Sequence, residues 1–237
     1  MQKTAVVIPA FNEAGALPSV ICAISREWVR TVIVVDNGSS DGTPEVARAN
    51  GAEVLFEPRK GYGFACWAGV QHAWAHLHTT IALLDAGGKE DPRELPLLLQ
   101  PIINNEADFV LGSRVRYAEA GVLLPHQRAG NALTVCIMRL LYGVRVSDLA
   151  PFRAIRSDLL HSLDMQERTM GWSVEMMVKA ARVGARIREV DVHYKPRIAG
   201  KSKVSGTLKG SINASIGILK TTFKYARWQV TASRGVK

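Results

Sequence analysis

The N-terminal half of the chain alternates short, β-branched apolar runs with stretches of helical spacing, and few architectures accommodate that rhythm. Residues 5–8, 31–35, 53–56, 81–84 and 109–111 are brief, apolar and bounded by turn residues, the signature of buried strands. Helical patterns fill the intervals over 14–25, 44–50, 64–78 and 93–104. Strand and helix alternating at this interval predict an α/β fold with a mainly parallel, helix-covered sheet. The second half is less regular. It predicts a helix over 127–142, a short strand over 152–155, a helix over 173–183 and a half-buried strand over 186–193. A loop over 195–206 and one helix over 207–230 follow. No internal repeat or low-complexity segment interrupts the pattern.

Sheets of this kind bind ligands outside the carboxyl ends of their strands, so the residues after each strand are the candidates for chemistry. The first strand runs out into Pro9-Ala10-Phe11-Asn12-Glu13, and the second into Asp36-Asn37-Gly38-Ser39-Ser40-Asp41-Gly42-Thr43. A carboxylate at such a strand end can accept hydrogen bonds from a base or ribose; the same residues also make an ordinary tight turn with a helix cap. The third loop, Pro58-Arg59-Lys60-Gly61-Tyr62-Gly63, sets two cations before a helix start and suits an anion. It has neither P-loop nor dinucleotide-fingerprint spacing. The fourth strand ends in Asp85-Ala86-Gly87-Gly88-Lys89-Glu90-Asp91-Pro92 and the fifth in Gly112-Ser113-Arg114.

In this order and spacing, these segments resemble the family 2 glycosyltransferases of the GT-A fold. Four later segments resemble the dolichyl- and polyprenyl-phosphate sugar synthase branch: Arg128-Ala129-Gly130-Asn131, Ser147 to Arg153, Gly171 to Glu175, and Arg197 to Lys203. The resemblance implies an inverting transfer of a hexose from a UDP- or GDP-sugar to a polyprenyl phosphate. It implies that Pro9, Phe11, Glu13, Asp36 and Gly38 line the nucleotide pocket with Lys60 and Gly61, and that Asp85 lies near the ribose and diphosphate. Arg114 and Arg128 would bind phosphate oxygens. Arg197, Lys201 and Lys203 would close over the diphosphate, and Asp148 and Glu175 would line the acceptor side. Residues 1–196 would then form one domain, with 1–115 the nucleotide-binding half and 116–196 the acceptor half. Residues 197–237 would be a basic loop and amphipathic helix.

One position departs from the family's pattern. The family carries Asp-x-Asp at the fourth strand end, the second Asp holding Mg or Mn against the donor diphosphate; here Gly87 stands in its place. Asp85 alone makes a weak metal ligand or none, because one carboxylate rarely holds a divalent ion unaided. Three readings compete: Lys89 replaces the metal charge, Glu90 or Asp91 joins Asp85 as a ligand, or the chain binds nucleotide or lipid without catalysis. The expectation is an active enzyme of weak or absent metal dependence.

Charge adds a partner. The chain of 237 residues has a net charge of +9, and residues 195–237 hold ten Lys or Arg and no acid. Over 207–230 an apolar stripe through Leu208, Ile212, Ile216, Leu219, Phe223, Ala226 and Val230 is edged by Lys209, Lys220, Lys224 and Arg227. Such a helix fits an anionic bilayer, or docks on the globule or a second subunit. No nucleic-acid motif accompanies the cations. No window is apolar enough to span a membrane, no signal peptide is evident, and three scattered cysteines suit a reducing compartment. The expected location is cytoplasmic, peripheral on the inner face of the cell membrane. A homo-oligomer and a small soluble acceptor stay open. His72 and His76, four apart on a helix, predict a solvated face rather than zinc. Trp67, Trp74, Met170, Met176 and Met177 predict packing.

Overall fold

The computed structural model describes residues 3–200, 217 and 219–228. Seven strands make one sheet: β1 (Thr4–Ala10), β2 (Thr31–Asp36), β3 (Glu53–Phe56), β4 (Thr80–Leu83), β5 (Phe109–Ala118), β6 (Arg153–Arg156) and β7 (Ile187–Tyr194), in the order β3-β2-β1-β4-β6-β5-β7. All neighbours are parallel except β6, which runs antiparallel between β4 and β5. Helices α1 (Leu17–Cys22), α2 (Thr43–Ala49), α3 (Tyr62–Ala75), α4 (Leu95–Ile103), α5 (Pro125–Tyr142), α6 (Ser157–Ser162) and α7 (Trp172–Arg182) complete the fold. The mainly parallel α/β sheet expected from the sequence is the one observed.

The central strands are apolar on both faces because both faces are covered. Along β1, Ala5 and Val7 enter the core layer that includes α3 and α7, whereas Val6 and Ile8 enter the layer beneath α1 and α4. Each of these valines and the isoleucine, removed from water, contributes about 1.5–3 kcal/mol, which fixes the register of the strand. Trp67 meets Trp74 and Trp172 edge-on at 5.4 and 6.0 Å, a packing cluster as expected. His72 bonds Glu53 at 2.7 Å on the surface, and no metal-binding group of three such side chains occurs among the described residues.

Several boundaries differ. The expected first helix begins late, at Leu17, because Ala14 and Gly15 belong to the loop after β1. β5 continues well past Leu111, since β7 pairs with it as far as Ala118 across a register shift. The short helix α6 was not foreseen. Most of the expected helix over 207–230 lies outside the described residues, and within them it does not run unbroken. Residues 219–224 are helical and 225–227 form a turn. The turn has a cause: Arg182 donates to the carbonyls of Ala226 and Trp228 at 2.8 and 2.6 Å, and Lys179 sits against the rings of Tyr225 and Trp228. The face that packs inward is Thr221, Thr222 and Tyr225, while Phe223 of the expected stripe is exposed.

Candidate active site

A cavity of about 850 Å³ opens at the carboxyl ends of β1, β4 and β5 and extends beneath the first half of α5. At β1 the sheet order changes direction, and the loops diverge to leave a crevice. Of the expected residues, Pro9, Phe11, Glu13, Lys60, Gly61, Asp85, Lys89, Arg114, Arg128, Asp148 and Arg197 all line it.

The first three loops are tied to one another. Asn12 N donates to Ser39 Oγ at 2.9 Å, Ser40 N to Asn12 Oδ1 at 2.8 Å, and Glu13 N to Thr43 Oγ1 at 2.9 Å. Asn37 joins the third loop, donating to the carbonyls of Glu57 and Arg59 at 2.8 Å and accepting from Gly61 N at 2.9 Å. Lys60 donates to the carbonyls of Asn37 and Gly38 and lies 4.5 Å from the centre of the Phe11 ring. Asp36 is not brought to the wall. It is buried, and its carboxylate accepts from Gly38 N and Ser39 N, which closes the turn. Gly38 lies in that turn rather than on the cavity surface.

The centre of the cavity holds charge. Asp85 accepts from Tyr62 Oη at 3.4 Å; burial pushes its carboxyl up, opposed by Arg114, Tyr62, Arg197 and Lys89. Burial likewise pulls the Lys89 ammonium down. Arg114 grips Asp148 through Nε and Nη2 at 2.7 and 2.8 Å, and its backbone N–H adds a third bond at 2.9 Å. Burial disfavours the Asp148 charge, yet Arg114 holds its carboxyl below the usual range. Asp148 therefore orients Arg114. On the far side, Asn131 of α5 bonds Ser147 O and Leu149 N, fixing the helix to the loop that carries Asp148. Arg128 is exposed at the rim.

Glu175 is a correction by placement. It is fully buried away from the cavity, accepting from Gln166 N, Glu167 N and Lys179 Nζ at 2.8, 2.7 and 2.8 Å. Its oxygens fasten the loop before α7, so they do not face an acceptor. Lys201 and Lys203 lie outside the described residues. Tyr62, Asn131, Ser147, Met170 and Tyr194 line the cavity without having been singled out for it; Met170 was expected to pack. The first three stand inside the motifs quoted above, whereas Tyr194 ends an edge strand and carries no sequence signal.

The divalent ion implied by the family does not fit these residues. A Cβ at Gly87 would lie 2.6 Å from Arg197 Nη1 and 2.7 Å from Cζ, so a guanidinium fills the room a second carboxylate would need. Asp91 is engaged by Arg93 and caps the turn at Pro92–Glu94, which removes it as a ligand. Glu90 has both carboxylate oxygens buried without a hydrogen bond, but it does not reach the cavity wall.

The sequence pattern of Glycosyl transferase family 2 matches residues 5–163. An uncharacterised glycosyltransferase of Mycobacterium tuberculosis is 40% identical over 216 residues, spanning 91% of this chain and 95% of that protein. An undecaprenyl-phosphate mannosyltransferase of Micrococcus luteus is 32% identical, spanning 96% and 97%. Among solved structures, glucosyl-3-phosphoglycerate synthase from Mycobacterium tuberculosis, in complex with Mn2+, UDP and glucosyl-3-phosphoglycerate, superposes with a TM-score of 0.75 at 23% identity, covering 97% of this chain and 82% of that one.

Proposed function

Because the chain belongs to glycosyltransferase family 2, we propose that it transfers a hexose from a nucleotide diphosphate sugar to a polyprenyl phosphate, with inversion and with weak or absent metal dependence. The undecaprenyl-phosphate and polyprenol relatives support this acceptor. The observation that carries it is the state of the carboxylates. Asp148 is locked to Arg114, Glu13 is paired with Arg197, and Asp85 holds a hydroxyl hydrogen bond. An acceptor that must be deprotonated needs a poised base. A phosphate acceptor is already an anion, and cations at the rim suit it better.

The step balances without an added base. A lone pair on the acceptor phosphate oxygen forms the bond to the anomeric carbon. The bond from that carbon to the β-phosphate oxygen breaks, and its electron pair leaves with the nucleoside diphosphate. The nucleotide lies over the β1 and β2 ends, in the half formed by residues 1–115. The acceptor phosphate is held by Arg128 and Arg114, toward the half formed by residues 116–196.

A lipid acceptor requires a surface, and α5 offers one. Only Thr134 and Met138 of that helix are fully buried, while Leu133, Leu140 and Leu141 are 54%, 81% and 46% exposed. Residues 115–145 carry four arginines against one acid. An exposed leucine face edged by cations suits an anionic bilayer at the cytoplasmic side of the membrane. No helix among the described residues is long and apolar enough to cross it.

The test offers UDP-glucose and GDP-mannose, labelled in the sugar, to the protein with vesicles containing undecaprenyl phosphate, and separately with soluble 3-phosphoglycerate. Label moving into the lipid phase supports the proposal. Label moving only to 3-phosphoglycerate replaces it with the soluble-acceptor reading, which the phosphoglyceric acid bound in a structural neighbour favours. No turnover of either donor favours a non-catalytic binding protein.

A further inference from the structure

We infer that Arg197 takes over the task of the divalent ion, and that Gly87 is what lets it do so; the inference rests on the nucleotide-sugar reading above. The segment after β7 turns back across the β4 end and lies on the Gly87-Gly88 turn. Lys195 N donates to Lys89 O at 2.8 Å and Ile198 N to Gly87 O at 3.2 Å. Gly88 adopts a φ of +66°, and a Cβ there would fall 2.3 Å from Ile198 Cδ1. The two glycines are therefore a seat for residues 195–198, and any side chain at 87 would displace the Arg197 guanidinium.

Arg197 is held in that seat. Its Nη2 pairs with Glu13 at 2.5 Å, and Nε donates to Ala199 O at 3.3 Å. Nη1, nearest the Gly87 position, makes no hydrogen bond among the described residues, and the side chain is only 18% exposed on the cavity wall. A guanidinium never loses its charge in this pH range and presents donors in a fork that matches phosphate oxygens. Lys89 and Arg114 stand in the same cluster: both act electrostatically on Asp85, as Arg197 does. A diphosphate arriving beside Asp85 meets three cations belonging to the chain. The charge that develops on the leaving diphosphate falls where Arg197 is fixed, so the protein supplies in its own side chain what a metal would bring from solution. The lysine-for-metal reading of the sequence thus moves to an arginine distant in the chain, with Lys89 as its neighbour.

Calorimetric titration with UDP and with GDP, each in EDTA and in manganese, tests this without relying on turnover. Wild type is expected to bind one of the two nucleotides in EDTA, with manganese leaving the affinity within experimental scatter. Arg197→Ala is expected to lose about tenfold or more in affinity, as loss of a hydrogen bond to a charged group does, and manganese should not restore it. Arg197→Lys keeps the charge without the fork and covers the case in which the alanine variant does not fold; it should bind more weakly than wild type. Wild-type binding that appears only with manganese, or an Arg197 variant that binds as wild type does in EDTA, overturns the inference. Silence for both nucleotides in both conditions overturns the donor reading itself.

Discussion

Replacing Glu175 separates a structural carboxylate from an acceptor-side one. Glu175 and Lys179 are wholly inaccessible, and the carboxylate gathers three donors: Gln166 N, Glu167 N and Lys179 Nζ. In Glu175→Gln one oxygen becomes an NH2 that faces donors, and the Lys179 charge loses its partner inside the protein. Removing one member of a buried ion pair costs about 3–5 kcal/mol. Lys179 also donates to Asp164 O at 2.6 Å and sits 4.8 Å from the Tyr225 and Trp228 rings, which places the loss toward the lower end. For a domain of this size each kcal/mol lowers the melting midpoint by about 2–4 °C, so a loss near 3 kcal/mol gives an expected drop of roughly 6–12 °C. Thermal unfolding followed by far-UV circular dichroism measures it. Sugar transfer is then assayed well below both midpoints and expressed per folded molecule, where it should equal wild type. An unchanged melt with collapsed transfer would refute the packing role and return Glu175 to the acceptor.

Three further outcomes follow from the same geometry. Asp148→Asn should cost about 3–5 kcal/mol at neutral pH, because the buried Arg114 loses its partner; denaturant midpoints read it. The Asp148 carboxyl is held low, so its contribution is full above the ordinary carboxylate range and is lost as pH falls through its lowered value. The gap between variant and wild type should therefore narrow only in acid. Glu90 behaves oppositely: burial first, and Asp85 second, push its carboxyl up to about 8. The folded state then holds a proton that the unfolded state has released, so wild-type stability falls as pH rises from the ordinary carboxylate value toward 8. Glu90→Gln should lose that slope, which melting midpoints taken across pH will show. Leu140→Glu, at a site 81% exposed, should leave the melt unchanged within about 0.5 kcal/mol. It should weaken flotation with anionic vesicles about tenfold or more, as withdrawing a leucine from lipid and adding a like charge both act against binding; flotation equal to wild type would remove α5 from the membrane reading.

The sheet was legible because its central strands are buried on both faces, and a run such as Ala5-Val6-Val7-Ile8 has no polar residue to permit another placement. Element ends were less legible. α1 loses its expected first turn to loop contacts made with residues 39–43, which no local pattern announces. The cavity lining was legible where a polar residue stands within a few positions of the end of a buried apolar run, as with Glu13, Asp85 and Arg114. It failed where a carboxylate turned inward: Asp36 satisfies two backbone amides of its own turn, and Glu175 satisfies two amides and an ammonium. Sequence gives the residue type at a strand or helix end, but not which way a carboxylate resolves its hydrogen bonds.

Gly87 shows the same limit in reverse. Taken alone in the chain, a glycine where the family carries an acid reads as a deletion, and three consequences compete. The fold sets against that position a residue far along the sequence. Arg197 needs the missing side chain, since its guanidinium lies within 2.6–2.9 Å of where a Cβ would be. Glu13, in the loop after β1, pairs with that guanidinium. The open position at 87 and the cation at 197 thus meet at one point, which only the fold brings together. An aspartate restored at 87 would not recreate the family's metal site, because its carboxylate would meet a guanidinium before it met an ion.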